Sequence, residues 1–349
     1  MELEHIIKQV KYNCNISDAG FWGYYSICGL LMRLRDLYLH EHSIGVDQFV
    51  PKKDILDWVA KRESLWEELE DAAFQDIEIE GHRYEPFDTA GINAALLKHG
   101  LVYSGGYGMF GKPMFFLASL KVKRYVSSYR IYYSDSEYCH DLSTSLAMAQ
   151  GQNIFVRLEP IRKFLTEKIL EMQGGKSRTA FREALSYYGR VKNDSLYSGI
   201  CNEAVQDVAE LIALHEIGEA AENEIAPEWL DIVDNSVDRL TEFYLRAIKD
   251  VLADTTEVGP LMFIIQNKSA HLFNFYIAFF EGIRKEIFPE AMEAYKDFKE
   301  TDNWTLLEYA RIRGYNKIDK IRREIITLWQ DTGNIKRIEN FIRSRFQKK

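Results

Sequence analysis

The second half of the chain keeps a helical pattern from about Gln152 to its C-terminus, and this feature restricts the fold more than any other. Apolar residues recur there at spacings of three and four, the period of one buried helix face. Glycines and prolines interrupt the pattern and divide it into helices of ordinary length. These breaks lie at Gly174 and Gly175, at Pro227, at Gly259 and Pro260, and at Pro289. The pattern predicts a helical bundle over residues 151–349.

Helices are also expected before residue 150, but there they alternate with β-like runs. Ser17 or Asp18 has the character of an N-cap for a long helix that ends near Leu39. Acidic helices are expected over residues 53–73, and another helix begins at Asp88. This region is therefore predicted to be mixed in structure.

Two β-like runs lie close together in the mixed region. Residues 115–123 end in an alternating stretch, and residues 129–133 are mostly β-branched or aromatic, which predicts an antiparallel hairpin. The sequence thus predicts an α+β fold that is mainly α. A mixed N-terminal region with a small antiparallel β-sheet occupies residues 1–150, and the helical bundle follows over residues 151–349.

Charge is unevenly distributed along the chain. Residues 311–349 hold 12 Lys and Arg against 4 Asp and Glu, a net charge of +8, so the net charge of -9 leaves -17 for the remainder. A basic tail of this kind could contact an acidic partner or nucleic acid. Apolar residues also recur at helical spacing in it, and no nucleic-acid motif accompanies them. We expect amphipathic helices docked on the acidic body, and do not expect nucleic-acid binding.

The cysteines and the N-terminus favour a cytoplasmic protein. Four scattered cysteines form no C-x-x-C pair, which is typical of free thiols in a reducing compartment. The first residues include Glu2, Glu4 and Lys8, unlike the start of a signal peptide. The longest uncharged apolar stretch, residues 19–32, is shorter than the roughly 20 residues of a membrane-spanning helix. We expect no membrane contact, and the composition leaves a homo-oligomer open.

The segment HEIGE at residues 215–219 places an imidazole and two carboxylates within about one turn of a predicted helix. It lacks the second histidine of a thermolysin-type zinc motif and the Glu-x-x-His pairs of helical di-iron proteins. At about 100° per residue, His215 and Glu219 continue the face of Val208 and Ile212, and Glu216 lies beside them. Buried together, these groups would need a metal ion, a basic partner or a bound proton.

A second polar stripe could complete such a site. A helix expected over residues 261–287 carries His271 on a narrow polar face. With His215, Glu216 and Glu219 it would form a mixed nitrogen and oxygen set suited to Fe, Mn or Zn. Two other interpretations stay open, a solvent-facing acidic surface and a buried ion-pair network.

Three further segments imitate known motifs. Residues 106–111 fit G-x-G-x-x-G, but Pro113 and a β-like run follow where a helix should begin, so a hairpin connection is expected. A small-molecule pocket beneath residues 105–111 is a weaker hypothesis, and we expect no bound cofactor at the loop. Cys139, His140 and Asp141 are adjacent, whereas catalytic residues meet from separate elements. Residues 174–177, GGKS, indicate a helix break.

Three runs of sequence resemble a family of uncharacterised bacterial proteins. They are NCNISDAGFWGYYSICGLLMRLRDLY, RYEPFDTAGINAALLKHGLVYSGGYG and ALHEIGEA. The resemblance covers most of the chain and implies a bacterial protein of a single unit, without naming an activity or a catalytic residue.

The leading functional hypothesis is a cytosolic metal-binding protein, with a metal-dependent enzyme as its extension. Its ligands would be His215, Glu216, Glu219 and His271. The alternative is a non-enzymatic protein whose basic C-terminal helices engage an acidic partner or nucleic acid.

Overall fold

Two units divide the chain, Met1–Glu171 and Met172–Lys349. The computed structural model describes residues 2–108, 111–143, 145–172, 179–192, 195–196 and 199–346, and no side chain of residues 192, 195 and 196 is described. The predicted class, α+β and mainly α, is confirmed. The resemblance implied a single unit, whereas the structure has two, and the first extends past residue 150 because the strand at Asn153–Arg157 belongs to its sheet.

The first unit contains five of the described α-helices. They are α1 (Leu3–Phe21), α2 (Ile27–Glu41), α3 (Lys52–Leu69), α4 (Thr89–Leu96) and α5 (Leu158–Glu171), with 3₁₀ turns at Trp22–Tyr24 and Leu97–His99. The Asp88 carboxylate caps α4 by accepting from the Gly91 amide at 2.9 Å, as expected.

The single helix predicted from Ser17 or Asp18 to Leu39 is wrong. The chain leaves the helix after Phe21 and begins α2 with Ser26 as its N-cap, whose Oγ accepts from the Gly29 amide at 3.2 Å. Ser17 and Asp18 lie inside α1 and are buried. They resemble caps in sequence, but their side chains are used in tertiary hydrogen bonds.

Two β-sheets lie in the described part of the first unit. The strands β1 (Ile77–Ile79) and β2 (His82–Tyr84) form a small antiparallel pair. The larger sheet contains β3 (Leu101–Tyr107), β4 (Pro113–Val126), β5 (Tyr129–His140), β6 (Ala147–Gln150) and β7 (Asn153–Arg157), in the order β3-β4-β5-β7-β6. The predicted hairpin is confirmed, because β4 and β5 pair antiparallel from Val126 and Tyr129 onward.

Strand β7 corrects the expectation that the pattern is helical from residue 152. It pairs in parallel with β5 and antiparallel with β6. Its central residues Ile154, Phe155 and Val156 are fully buried. A short apolar run of this kind is typical of a strand covered on both faces, and here it precedes α5 directly.

The second unit is helical apart from one short pair of strands, within the residues described. Its elements are α6 (Ala180–Tyr187), β8 (Val191–Lys192), β9 (Ser195–Leu196), α7 (Asn202–Ile225), α8 (Glu228–Asp234), α9 (Arg239–Thr255), α10 (Pro260–Asn267), α11 (Ala270–Phe279), α12 (Ile283–Ile287), α13 (Pro289–Thr301), α14 (Trp304–Thr332) and α15 (Ile335–Phe346). Pro260 and Pro289 begin helices, as expected. The breaks predicted at Gly174 and Gly175 lie outside the described residues.

The helix expected over residues 261–287 is three helices. Lys268 adopts a left-handed conformation that ends α10, and Gly282 has a φ of 61° between α11 and α12. His271 therefore lies in the first turn of α11.

The C-terminal helices dock through their apolar faces. Ile318, Ile321 and Ile325 of α14 and Ile338 and Ile342 of α15 are buried, which supports the expectation of docked amphipathic helices. None of the described helices combines the length and the apolar character that crossing a bilayer requires.

Candidate functional site

Helix α7 carries the HEIGE segment without a break. Gly218 in the middle of the segment faces the backbone of Ala253 in α9. A β-carbon built on Gly218 would lie 2.4 Å from the carbonyl oxygen of Ala253, so a larger residue would force the helices apart. The glycine thus permits a close approach of α7 and α9, which brings His215 and Glu219 next to polar residues of α9.

One buried carboxylate orients the His215 ring. Asp254 Oδ1 lies 2.7 Å from His215 Nδ1, and its other oxygen accepts from the Tyr276 hydroxyl at 3.0 Å. Arg284 approaches the same carboxylate at 3.8 Å. An ionised carboxylate can only accept, so Nδ1 carries a proton and Nε2 is directed toward Glu219.

Glu219 lies between two basic groups. Its Oε1 is 3.3 Å from His215 Nε2 and its Oε2 is 2.8 Å from Lys249 Nζ. Burial alone would raise the pKa of Glu219, but hydrogen bonds and charges from His215 and Lys249 outweigh it and lower the pKa to about 2. Burial would likewise lower the pKa of His215, yet Asp254 and Glu219 hold that pKa well above its usual value. The side chains of His215 and Glu219 are 24% and 18% exposed, so water reaches both.

Two neighbouring carboxyl groups are less well compensated. Burial, together with the charge of Glu219, raises the pKa of Glu216 to about 7. Burial also raises the pKa of Asp250 to about 6, although His215 opposes the shift. The cluster holds four carboxyl groups (Glu216, Glu219, Asp250 and Asp254) and three basic side chains (His215, Lys249 and Arg284). Negative charge is therefore in excess when every group is ionised.

Three of these side chains have metal-ligand spacing. His215, Glu219 and Asp250 each offer a ligand atom, and the three atoms lie within 4.8 Å of one another. Imidazole nitrogen and carboxylate oxygen are ligands that suit Zn, Mn and Fe. The predicted pair His215 and Glu219 is thus brought together, with Glu216 beside it and Asp250 added from α9.

His271 lies elsewhere in the second unit. Its Nε2 is 3.3 Å from Asp207 Oδ2, and its ring stacks on Tyr187 with centroids 3.8 Å apart. Asp207 precedes His215 by eight residues of α7, which is about 12 Å along a helix. The structure therefore does not bring His271 to the cluster as the expected fourth ligand. The polar stripe that carried it is interrupted by the helix break at Lys268.

Asp250 and Asp254 had no motif to mark them in the sequence. They lie four residues apart on α9, on the same helix face as each other. The sequence signal available for them was an acidic pair at i, i+4 spacing on a helix with many apolar residues. Its pairing with residues some 35 positions earlier depends on how α7 and α9 pack.

The motif-like segments of the first unit have structural roles. Asp141 accepts from the Phe115 amide at 2.6 Å and from Lys112 Nζ at 3.0 Å, and Lys112 also pairs with Asp18 at 3.0 Å. Burial raises the pKa of the Cys139 thiol to about 12, which disfavours the thiolate that a nucleophile needs. Cys139 and His140 end strand β5, and Asp141 begins the following connection. These three residues therefore have structural roles.

The glycine segment connects β3 to β4, as expected for a hairpin. Tyr107 pairs with Pro113, and the Gly108 amide donates to the Lys112 carbonyl at 2.8 Å. Residues 109 and 110 lie outside the described part of the chain, as do residues 174–177. Lys112 is committed to its buried ion pairs and is not held at the loop for a phosphate.

The fold and the cluster together define an α+β protein of two units, with a partly buried group of one histidine and several carboxyls in its helical unit. Residues 5–157 match the N-terminal domain and residues 162–349 match the C-terminal domain of the family of unknown function DUF6866. The chain belongs to this family, which confirms the resemblance to uncharacterised proteins. No curated protein and no solved structure matches it.

Proposed function

We propose that this protein binds a divalent transition metal ion, Zn, Mn or Fe, through His215, Glu219 and Asp250 of its helical unit. The observation that carries the proposal is the group of three ligand atoms within 4.8 Å whose histidine is oriented from behind by Asp254. Metal-binding histidines usually donate their second ring N–H to a carboxylate in this way.

The spacing of the first two ligand atoms supports the proposal. His215 Nε2 and Glu219 Oε1 lie 3.3 Å apart. Two ligand atoms at that separation, each about 2.1 Å from a common ion, subtend about 100° at it, which is close to the angles of ordinary coordination. The hydrogen bond from Tyr276 to Asp254 fixes the carboxylate that holds the imidazole.

The electrostatics of the cluster also favour a bound cation. Burial, together with the negative charge of Glu219, keeps protons on Glu216 and Asp250 to higher pH than usual. A bound divalent ion would displace those protons and the proton on His215 Nε2. It would also replace the contact of Lys249 with Glu219. Affinity should therefore rise with pH.

A metal-dependent enzyme is the extension of this proposal, with Glu216 in the role of proton acceptor. Glu216 lies three residues before Glu219 on α7, and its carboxylate would act as the general base if a bound ion activated a water. We also place the protein in the cytoplasm, since Cys14, Cys28, Cys139 and Cys201 are all free thiols.

The alternative of an interaction protein remains a prediction and gains little support from the basic helices. Several of their charges are already paired within the unit. Arg311 contacts Glu257 and Glu308, Arg322 contacts Glu222 and Asp319, Lys317 contacts Glu290, and Arg343 contacts Asp238. A partner would have to compete with these contacts.

Metal analysis and calorimetry of tag-free protein test the metal proposal. We expect close to one equivalent of Zn, Mn or Fe after reloading. His215→Gln should weaken binding at least about 100-fold, and Asp254→Asn about 10- to 100-fold. Lys249→Met should strengthen it about tenfold, because it removes the cation that competes for Glu219.

His271→Gln is the matched control, since it removes a histidine of the same unit that pairs with Asp207. Its affinity should stay within about twofold of the natural protein. Less than about 0.1 equivalent of any transition metal after reloading would reject the proposal and leave the cluster as an ion-pair network.

A further inference from the structure

A cavity of about 750 Å³ opens in the first unit. It lies among α2, the following connection, the end of β5 and α5, and its apolar wall includes Met32, Leu39, Ile44, Leu146 and Phe164. A volume of this size is typical of small-molecule sites. All of its lining residues belong to this unit, and the cavity is separate from the cluster of the helical unit.

Several charged groups on the cavity wall are paired with one another. Arg157 binds both carboxylate oxygens of Glu137, each at 2.6 Å. Lys163 lies 2.7 Å from Asp36. Burial and the nearby Asp36 raise the pKa of Glu167, which also lines the cavity. Arg157 and Lys163 are therefore already neutralised by carboxylates of the wall, and Glu167 adds no positive charge to it.

Two histidines on the wall have one ring nitrogen committed and one open. His140 Nδ1 is 2.6 Å from the carbonyl oxygen of Asp141, and His40 Nδ1 is 3.3 Å from Glu159 Oε1. Both partners are acceptors, so both Nδ1 atoms carry the proton, and a neutral ring keeps its lone pair on Nε2. Burial lowers the pKa of His140 to about 4, which keeps that ring neutral at pH 7.

The two rings form a pair of acceptors. Their centroids are 4.5 Å apart, and neither Nε2 atom has a hydrogen-bond partner among the residues that the structure describes. Within those residues, no third side chain joins them at metal-ligand spacing. An acceptor that a ligand covers without offering a donor costs binding energy, so the pair selects ligands by their donors.

We propose that this cavity binds a small, largely apolar, uncharged molecule that presents N–H or O–H donors to Nε2 of His40 and His140. The apolar wall covers the body of the ligand, and the two imidazoles recognise its polar end. An anion would meet the lone pair of His140 there, and two basic groups of the wall, Arg157 and Lys163, are already paired with Glu137 and Asp36.

Three aromatic probes of nine heavy atoms test this chemistry, with dissociation constants measured by ligand-observed and protein-observed NMR on the full chain. Benzamide offers two donors, acetophenone offers only an acceptor, and benzoate is an anion without a donor. We expect benzamide to bind with a dissociation constant below about 10 mM, the limit for a modest ligand of nine atoms. It should bind about tenfold more tightly than acetophenone or benzoate.

Substitutions locate the site and separate the contribution of the histidine acceptors from that of the apolar cavity. His140→Phe and His40→Phe keep a ring but remove the acceptor, and each should reduce the preference for benzamide over acetophenone about threefold or more. Val46→Trp fills the cavity and should abolish binding of all three probes. Leu56→Trp adds the same ring at a position 63% exposed and outside the cavity, and should bind as the natural protein does.

The outcomes decide the proposal. Loss of binding in Val46→Trp with the preference reduced in the histidine variants supports it. Benzoate binding as tightly as benzamide, equal affinities for benzamide and acetophenone, or no probe bound below about 10 mM overturns it. Shifts in the backbone NMR spectrum of a phenylalanine variant beyond the cavity would mark misfolding, and the intact protein with the three probes would still decide the question.

Discussion

The ion pair of Arg157 with Glu137 in the first unit and the His215 cluster in the second are both buried charged groups, yet they are built differently. Arg157 and Glu137 share two bonds of 2.6 Å, and their side chains are 2% and 1% exposed. Arg157 also donates to the Ser145 carbonyl at 2.9 Å. Every charge there is matched, and little of either group reaches water.

The cluster of the second unit has neither balanced charges nor complete protection from water. Its carboxyl groups outnumber its basic groups, two of them keep raised pKa values, and His215 and Glu219 remain partly exposed. A matched buried pair contributes to a single well-defined structure, whereas unmatched carboxylates with water access can take up protons or cations. The difference separates a structural ion pair from a candidate binding site, and the predictions below test it.

The largest effect is expected from breaking the matched pair. Arg157→Met leaves the Glu137 carboxylate buried without its partner, and should lower the free energy of unfolding by about 3–5 kcal/mol. Urea denaturation monitored by circular dichroism measures it. His215→Gln, in the partly exposed cluster, is the comparison and should cost less than half as much. A cost below about 1 kcal/mol for Arg157→Met would show that the pair is not the closed structural element described above.

A smaller effect is expected at the contact between α7 and α9. Gly218→Ala places a methyl group 2.4 Å from the Ala253 carbonyl oxygen, so the helices must shift, at a cost of about 1–3 kcal/mol. The same shift should weaken metal binding, because the ligands come from both helices. Gly20→Ala in α1 is the matched control, since nothing lies within 4 Å of its β-carbon position. The control should be neutral or stabilising by up to about 1 kcal/mol.

If Gly218→Ala is as well tolerated as Gly20→Ala, the close approach of α7 and α9 is not required. Metal affinity measured on the same variants then shows whether the register of the ligands depends on that approach.

The contribution of Glu216 and Asp250 to the stability of the metal-free protein should fall as the pH rises through the acidic and neutral range. Glu216 and Asp250 have folded-state pKa values of about 7 and about 6, against ordinary values of 4.5 and 3.8. Each group binds its proton more tightly in the folded protein, so its contribution to the free energy of unfolding decreases from about pH 4 to about pH 7. The stabilising contribution of protonated His215, whose pKa is also raised, is fully present below its ordinary pKa and is lost as pH rises through the higher folded value.

Glu216→Gln isolates the first of these contributions. Thermal and urea unfolding at about pH 4.5 and about pH 7.5 give the change in the free energy of unfolding between the two pH values. This change should be more favourable to the variant than to the natural protein by about 1–2 kcal/mol, below the full shift because the side chain is partly exposed. Glu219 does not affect this comparison. Its folded-state pKa is about 2, below the ordinary value, so its stabilising contribution is lost only in more acidic solutions. Parallel curves for the two proteins would show that Glu216 is not protonated near neutral pH.

Local patterns were sufficient for the fold class but not for every element. The helical period of the second half and the proline positions identified most of its helices, because both properties act within a few residues. Ser17 and Asp18 misled the prediction because capping residues also make tertiary bonds. Asp18 accepts from the Leu142 amide at 3.0 Å, a contact that no local pattern encodes.

Local patterns likewise identified only some residues of the candidate site. The phase of α7 placed His215 and Glu219 on neighbouring turns of one helix, which depends only on helix geometry. Asp250 and Asp254 come from a second helix, and their register against α7 is set by the approach at Gly218. His271 was assigned by continuing a helix that in fact ends at Lys268. Packing between elements, rather than periodicity within them, determined the parts that the sequence pattern missed.

The smallest effect is expected for an exposed ion pair. Arg345 lies 3.9 Å from Glu324, and the two side chains are 44% and 35% exposed. Arg345→Ala should change the free energy of unfolding by less than about 0.5 kcal/mol, because solvent screens exposed pairs and their side chains lose freedom on pairing. Urea denaturation in low and in high salt measures it. A cost of about 1 kcal/mol or more that disappears in high salt would contradict the assignment and indicate a larger charge network on the C-terminal helices. The order Arg157, Glu216 and Arg345 then follows how far each charged group is removed from water, whereas the effect at Gly218 is steric.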